Sequence, residues 1–162
     1  MPLFLSIYLF SILGFFIHLF SLNPQQRTRK TIIDLLLLYQ LVFNVGITSF
    51  FAFIGFTFMP EYIAEYLNWP SCPFEQELAN VNLAFGFLGI LCIWFRDHFW
   101  TATVLGFSIW IFSDGIHHIW HIIFHHNYSA GNTGVPLITD LLIPVILVIL
   151  LSLRLKAEEN KF

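Results

Sequence analysis

Five long apolar segments constrain this chain more than any other feature of its sequence. They cover residues 2–21, 31–59, 74–95, 99–124 and 136–155. An apolar run of about 20 residues crosses the ~30 Å hydrocarbon core of a bilayer when it is helical. Backbone amides in lipid need partners within their own helix or barrel, and these runs do not alternate as barrel strands do. We therefore predict an all-α fold, a five-span transmembrane helix bundle forming one domain over residues 1–162.

The composition supports this interpretation. Hydrophobic residues make up 57% of the 162 positions and charged residues only 10%, which is typical of an integral membrane protein whose main partner is the lipid bilayer. The first run lacks a preceding Lys or Arg and a small-residue cleavage site, so we expect it to be a retained span. The second run is longer than a bilayer requires, and we expect it to tilt, to kink near Gly46 or Gly55, or to protrude from the bilayer.

The basic residues predict the orientation. In a five-span topology all seven Lys and Arg side chains fall on one side: Arg27, Arg29, Lys30, Arg96, Arg154, Lys156 and Lys161. Cytoplasmic loops are enriched in Lys and Arg, so this side is expected to be cytoplasmic, with the N-terminus outside and the C-terminus inside. We expect a multi-pass protein of the plasma (inner) membrane. A net charge of −3 gives no basis for nucleic-acid binding.

Ionisable residues are concentrated in the fourth segment, within the run SDGIHHIWHIIFHHN. At 100° per residue, Asp114, His118, His121 and His125 share one helix face, with His117 slightly to one side. Asp114 lies about 16 Å along the axis from His125, so the stripe occupies the outer half of the bilayer. Charged groups cost about 2.5 to 3.5 kcal/mol each at the bilayer centre, so they usually face a partner, a cavity or a ligand.

The neighbouring segments carry polar groups at similar depths. The third contains Glu75, Glu77, Asn80 and Asn82, and the fifth contains Asp140. Glu75, Ala79, Asn82, Gly86 and Gly89 also form one stripe of small and polar residues that favours the close approach of another helix. The sequence leaves open which of Glu75 and Glu77 points inward. The short loop before the fifth segment places Asn132 over the histidines.

These groups predict an outward-facing site for a divalent transition metal, with zinc or iron as the expected cofactor, because imidazole and carboxylate are ligands for such ions. The expected metal ligands are His118, His121, His125, Asp114, Asp140 and Glu75. Glu77 and Asp114 are candidate catalytic carboxylates, and His117, Asn80, Asn82 and Asn132 are expected to support the ligands through hydrogen bonds.

Three functions remain open at this stage. The chain could be a metal-dependent membrane enzyme, a hydrolase or an oxidoreductase, in which the ion lowers the pKa of a bound water. It could be a proton- or metal-coupled transporter, because histidines titrate near neutral pH. It could also be a non-catalytic subunit or assembly factor whose polar groups join helices, and any of these proteins could form a homo-oligomer.

The runs FEQELANVNLAFGFLGIL, SDGIHHI and GNTGVPLITDLLIP lie within residues 74–150. They resemble a family of small polytopic membrane proteins of bacteria and archaea whose function is unknown. The resemblance implies a membrane protein and no particular activity.

Overall fold

All the regular secondary structure that the computed structural model describes, over residues 2–159, is helical. The α-helices are α1 (Pro2–Ser21), α2 (Arg29–Gln40), α3 (Thr48–Phe58), α4 (Pro60–Leu67), α5 (Phe74–Leu91), α6 (His98–His125), α7 (Ala130–Thr133) and α8 (Val135–Glu159). A 3₁₀ turn covers Pro24–Gln26, and a π-helical segment, Leu41–Ile47, joins α2 to α3. The predicted all-α class is confirmed. Lys161, one of the seven predicted inner cations, lies outside the described residues.

Four stretches are long and apolar enough to cross a membrane: Leu3–Ser21, Arg29–Phe58, His98–His125 and Ala130–Glu158. They include four of the five predicted spans. The predicted third span, α5, is not among the stretches found in the described part of the chain. Its 18 residues include two acids and two asparagines, which lower its apolar character.

The hydrogen bonds at the two ends of the bundle show the directions of the long helices, because they join the starts of α2 and α6 to the end of α8. At one end, the start of α2 and the residue before α6 bond to the end of α8, through Asp34, Asp97 and Arg154. At the other end, the turn after α6 bonds to the end of α4, through Asn127 and the carbonyl of Leu67. We call these the Arg154 end and the Asn127 end.

The core lies where α2, α6 and α8 meet. Its buried side chains include Leu37, Trp100, Phe107 and Leu147. The most extensive helix pair is α6 with α8, followed by α3 with α5. Many large apolar side chains on the outside of the bundle, such as Phe10, Ile17 and Ile109, are exposed, as expected for surfaces that face lipid.

The irregularity predicted near Gly46 is the π-helical segment, and α5 packs directly against it. A Cβ atom added at Gly89 would overlap the backbone of Gly46 and lie 2.7 Å from the carbonyl oxygen of Leu41. Gly86 lies against the ring of Phe50 in the same interface. The stripe of small residues on α5 therefore faces the π-helical segment and α3, since only residues without bulky side chains allow the backbones to come this close.

Candidate functional site

The predicted polar groups that come together most closely are His118, Asn132 and Asp140, at the Asn127 end of α6 and α8. The side chain of Asn132 is fully buried, and its Nδ2 donates hydrogen bonds to the carbonyl oxygens of His118 (3.1 Å) and Asn127 (3.0 Å). The remaining amide atom, Oδ1, lies 2.8 Å from Nδ1 of His118. Because that oxygen can only accept, Nδ1 of His118 carries a proton and donates it to Asn132.

The other ring nitrogen of His118 faces a carboxylate. Nε2 lies 3.5 Å from Oδ2 of Asp140, and the side chains of the two residues are 7% and 20% exposed. Since Nδ1 is committed to Asn132, any proton that His118 exchanges must be held at Nε2. His118 and Asp140 therefore form a largely buried pair that can share one exchangeable proton.

Two glycines allow the backbones around this pair to approach each other. At Gly115, one turn below His118, a Cβ atom would lie 2.8 Å from the side chain of Leu141 and 3.4 Å from the backbone of Asp140. At Gly131, beside Asn132, a Cβ atom would overlap the carbonyl of Tyr66. Without a side chain at either position, α8 can pack against α6 and the α7 turn can pack against α4.

Asn127 and Ser129 fix the turn that carries Asn132. The Nδ2 atom of Asn127 donates to the carbonyl of Leu67 at 2.8 Å, and the hydroxyl of Ser129 donates to the same carbonyl at 2.9 Å. His126 ends α6 in the left-handed conformation, with φ 51°. The end of α6, the α7 turn and the end of α4 are thus one hydrogen-bonded unit above the His118–Asp140 pair.

The indole of Trp69 covers three of the predicted imidazoles. Its ring centroid lies 4.6 Å from that of His121, 5.3 Å from that of His118 and 5.2 Å from that of His117. The indole Nε1 is buried without a hydrogen-bond partner in the described part of the chain. The sequence suggests only an interfacial role for Trp69, because no spacing rule relates a loop residue to a helix face.

The remaining imidazoles lead from this point towards the outside of the bundle. The ring centroids of His117 and His121 are 4.9 Å apart, and those of His121 and His125 are 4.8 Å apart. His121 is half-buried and the two rings on either side of it, His117 and His125, are exposed, whereas His118 is buried. These contacts link His117, His121 and His125 along α6, and the indole of Trp69 contacts both His121 and the buried His118.

Asp114 lies one turn deeper than His118 on α6. Its side chain is half-buried. Of the ionisable groups predicted to meet from the fourth and fifth segments, His118 and Asp140 are the pair whose side chains lie in contact in the described part of the chain.

The polar groups of α5 are arranged differently from the prediction. Glu75 accepts hydrogen bonds from the hydroxyl of Ser71 (3.4 Å) and the amide of Cys72 (3.3 Å), so it caps its own helix start. Asn82 is buried but donates to the carbonyl of Leu78 within α5. Glu77 and Asn80 are exposed on the opposite face. The physical reason is that the small residues of α5 pack against α3 and the π-helical segment, so its polar groups do not join the histidines.

This geometry does not support the predicted transition-metal centre. Among the side chains that the structure describes, within residues 3–158, there is no group of three or more His, Cys, Asp or Glu arranged to hold one ion. His118 has one nitrogen bonded to Asn132 and the other facing a single carboxylate. The donor set therefore does not fit zinc or iron, which in proteins usually take at least three protein ligands.

A second polar cluster lies at the Arg154 end, and the sequence does not predict it. Arg154 is only 4% exposed, and its guanidinium contacts the carboxylates of Asp34 (3.1 Å), Asp97 (2.6 Å) and Glu158 (3.0 Å). It also lies 5.1 Å from the centre of the Trp100 ring. The hydrogen bond from Arg154 lowers the pKa of Asp97. This cluster ties the ends of α2, α6 and α8 together.

A family model described as a family of unknown function, DUF6790, matches residues 4–160. The chain belongs to this family. The expected family of unknown function is thereby confirmed, and the match also covers the first two predicted spans, which lie outside the runs that carry the resemblance. No curated protein and no solved structure matches the chain. Membership in this family assigns no activity, so a functional proposal depends on the geometry of the site.

Proposed function

We propose that this chain is a proton-coupled integral membrane protein whose proton-binding site is the His118–Asp140 pair. The observation that carries the proposal is the placement of His118 between Asn132 and Asp140, with Nδ1 committed and Nε2 facing Oδ2 at 3.5 Å. Ionisable side chains within membrane spans are uncommon and usually belong to proton or substrate pathways. Of the three functions that the sequence leaves open, proton coupling uses this geometry most directly.

The charge of the pair changes when it loses its proton. With one shared proton, the pair is either an imidazolium and a carboxylate or an imidazole and a carboxylic acid, and both forms are neutral overall. Without it, a carboxylate faces the Nε2 lone pair, and the net charge is −1. A lone pair repels a carboxylate in a medium of low dielectric constant, so loss of the proton weakens the contact between α6 and α8.

The row of imidazoles gives protons a route to this pair. His121 is half-buried and lies between the exposed His117 and His125, with neighbouring rings about 5 Å apart. The indole of Trp69 contacts both His121 and His118, so the last step to the pair lies beside this ring. Imidazole both donates and accepts protons near neutral pH, so such a row can relay them through intervening water. Trp69 covers the inner part of the row and limits its contact with bulk water.

The proposed topology has five spans in the plasma membrane, with α5 as the third and the Asn127 end outside. The distribution of Lys and Arg supports this orientation. Cys72 is exposed near the Asn127 end, whereas Cys92 is buried. A membrane-impermeant maleimide should therefore label Cys72 in intact spheroplasts, and a Lys156→Cys variant with Cys72→Ser should react only after lysis. Labelling in the reverse order would contradict the orientation.

Proton binding can be tested by nuclear magnetic resonance of the protein in lipid nanodiscs with ¹⁵N-labelled histidine, with His118→Gln assigning the signals. We expect Nδ1 of His118 to stay protonated from pH 5 to pH 9 while Nε2 gains and loses a proton. Asp140→Asn should move the midpoint of Nε2 by about one pH unit or more, and His126→Gln, at an exposed position, should leave it unchanged. If Nε2 does not titrate, the pair is a fixed structural contact, as expected of a non-catalytic subunit.

Coupling requires a second measurement. Amide hydrogen exchange should be faster in the facing halves of α6 and α8 above the midpoint than below it, after correction for the intrinsic effect of pH. The Asp140→Asn variant, whose amide cannot become charged, should lose this difference. Titration without any change in exchange would show proton binding that is not coupled to the helices.

A further inference from the structure

One face of α5 points away from the rest of the protein and yet carries polar groups. Ala79, Asn82, Gly86 and Gly89 form the buried face. At 100° per residue, the opposite face consists of Glu77, Asn80, Ala84 and Phe87, and all four are exposed. The α5 helix therefore presents an uncovered surface, which we call the Asn80 face.

Asn80 is the residue on this face that needs a partner. Its side chain makes no hydrogen bond with any described residue, unlike those of the buried Asn44, Asn82 and Asn132, each of which donates through its side-chain amide. It lies about 9 Å along the axis from Phe74, the first residue of α5. An unpaired carboxamide in hydrocarbon is costly. Glu77 differs from it because it lies in the first turn, where headgroups, water and the helix dipole stabilise a carboxylate.

The composition of α5 independently suggests that this helix is covered in the membrane. Along the chain it lies between Arg29–Phe58 and α6, which are both long and apolar enough to cross a membrane, but it is not itself among the stretches found to be so in the described part of the chain. The packed face of α5 is covered by α3 and the π-helical segment. Glu75 and Asn82 have hydrogen-bond partners within the chain, so the polar side chains that stay uncovered, Glu77 and Asn80, lie on the Asn80 face.

We propose that the Asn80 face binds the same face of a second copy of this chain, in a parallel dimer with its two-fold axis along the membrane normal. All copies in one membrane share an orientation, so Asn80 of each copy lies at the same depth. A carboxamide is self-complementary, since it has both donors and an acceptor, and two of them can form paired hydrogen bonds. Ala84, one turn away, is small enough for the two helices to approach closely.

The association can be measured in lipid vesicles by energy transfer between copies that carry donor and acceptor fluorophores at their C-termini. We expect wild-type association to rise with the protein-to-lipid ratio. Asn80→Leu should lower the association constant about tenfold, because it removes the interhelical hydrogen bonds. Ala84→Leu should lower it as well by keeping the helices apart. Val81→Leu, about 100° away on the same helix, should leave it unchanged.

Disulfide trapping provides an independent measurement. In a Cys72→Ser background, Ala84→Cys, which keeps Asn80 and a small side chain on this face, should form a dimer under mild oxidation, and Val81→Cys should not, because a disulfide requires Cβ atoms about 4 Å apart. The side chain of Asn80 makes no hydrogen bond within the described residues, so Asn80→Leu should melt like the wild type in detergent. This result would separate lost association from misfolding. A wild type that is monomeric at all ratios, or Asn80→Leu associating as strongly as the wild type, would overturn the proposal.

Discussion

Asn132 and His118 fix each other in a single orientation. The amide nitrogen of Asn132 donates to the carbonyl of His118, and its oxygen accepts from the ring of the same histidine. This reciprocal arrangement defines which ring nitrogen of His118 faces Asp140. The proton chemistry that we propose for α6 and α8 thus depends on a residue outside both helices, in the α7 turn.

Replacing Asn132 by Leu should destabilise the protein by about 2 to 4 kcal/mol. The change removes three hydrogen bonds, and the buried groups left unpaired cost about 1 to 3 kcal/mol each, partly offset by relaxation. The free energy of unfolding can be measured in mixed micelles with increasing SDS. Asn80→Leu is a matched control, since the side-chain amide of Asn80 has no hydrogen-bond partner within the described residues. An equal loss of unfolding free energy in both variants would contradict the assigned role of Asn132.

Replacing Arg154 by Ala should lower the free energy of unfolding by about 3 kcal/mol. Arg154 is buried and contacts three carboxylates, and removal of one partner from a buried ion pair leaves the others uncompensated. Arg154→Lys should retain part of the stability, because an ammonium keeps the charge but lacks the planar fork. The same SDS titration measures both, and Arg29→Ala, at an exposed position, should change little. If Arg154→Ala left the free energy of unfolding unchanged, the cluster would not be holding the helix ends together.

The stabilisation of the folded state by Asp97 should disappear in acid. The hydrogen bond from Arg154 lowers the pKa of Asp97, so this carboxylate stabilises the folded state above its ordinary pKa of about 3.9. The contribution is lost as the pH falls through the lower, folded-state pKa. Thermal melts should therefore show Asp97→Asn to be less stable than the wild type at pH 6, with a gap that shrinks below about pH 4. A gap independent of pH would exclude this interpretation.

Substitution by alanine should have different effects on the stability of the protein at Gly89 and at Gly106. At Gly89 an added Cβ would overlap the backbone of Gly46, whereas at Gly106 it would make ordinary contact with the ring of Phe85 at 3.7 Å. Gly89→Ala should therefore cost about 1 to 3 kcal/mol, or more if α5 detaches. Gly106→Ala should be neutral or slightly stabilising, because alanine favours the helix. Unfolding in SDS checks both, and similar values would argue against close packing of α5.

The sequence predicts much of the fold because lipid restricts the choices of the backbone. The long helices lie within a few residues of the predicted segments, and the irregular turn at Leu41–Ile47 includes Gly46. Helical periodicity also predicts the shared face of His118, His121 and His125, since this depends only on the geometry of one helix.

Contacts between segments are harder to predict, because periodicity defines the faces of a helix but not its neighbours. Glu75 and Glu77 are expected at the same depth as the histidines. They do not join them, because Gly86 and Gly89 pack against α3 and the π-helical segment and this packing sets the orientation of α5. Trp69 is brought to the imidazoles by hydrogen bonds between distant loops.

By itself, the sequence determined the helical class, the segments and the polar face of α6, all of which follow from local composition and the 3.6-residue repeat. The tertiary structure alone decided that Asp140 and Asn132 meet His118, that α5 faces away from it, and that Arg154 gathers three carboxylates. These outcomes depend on which backbones can approach closely, and that depends on pairs of surfaces that lie far apart in the chain.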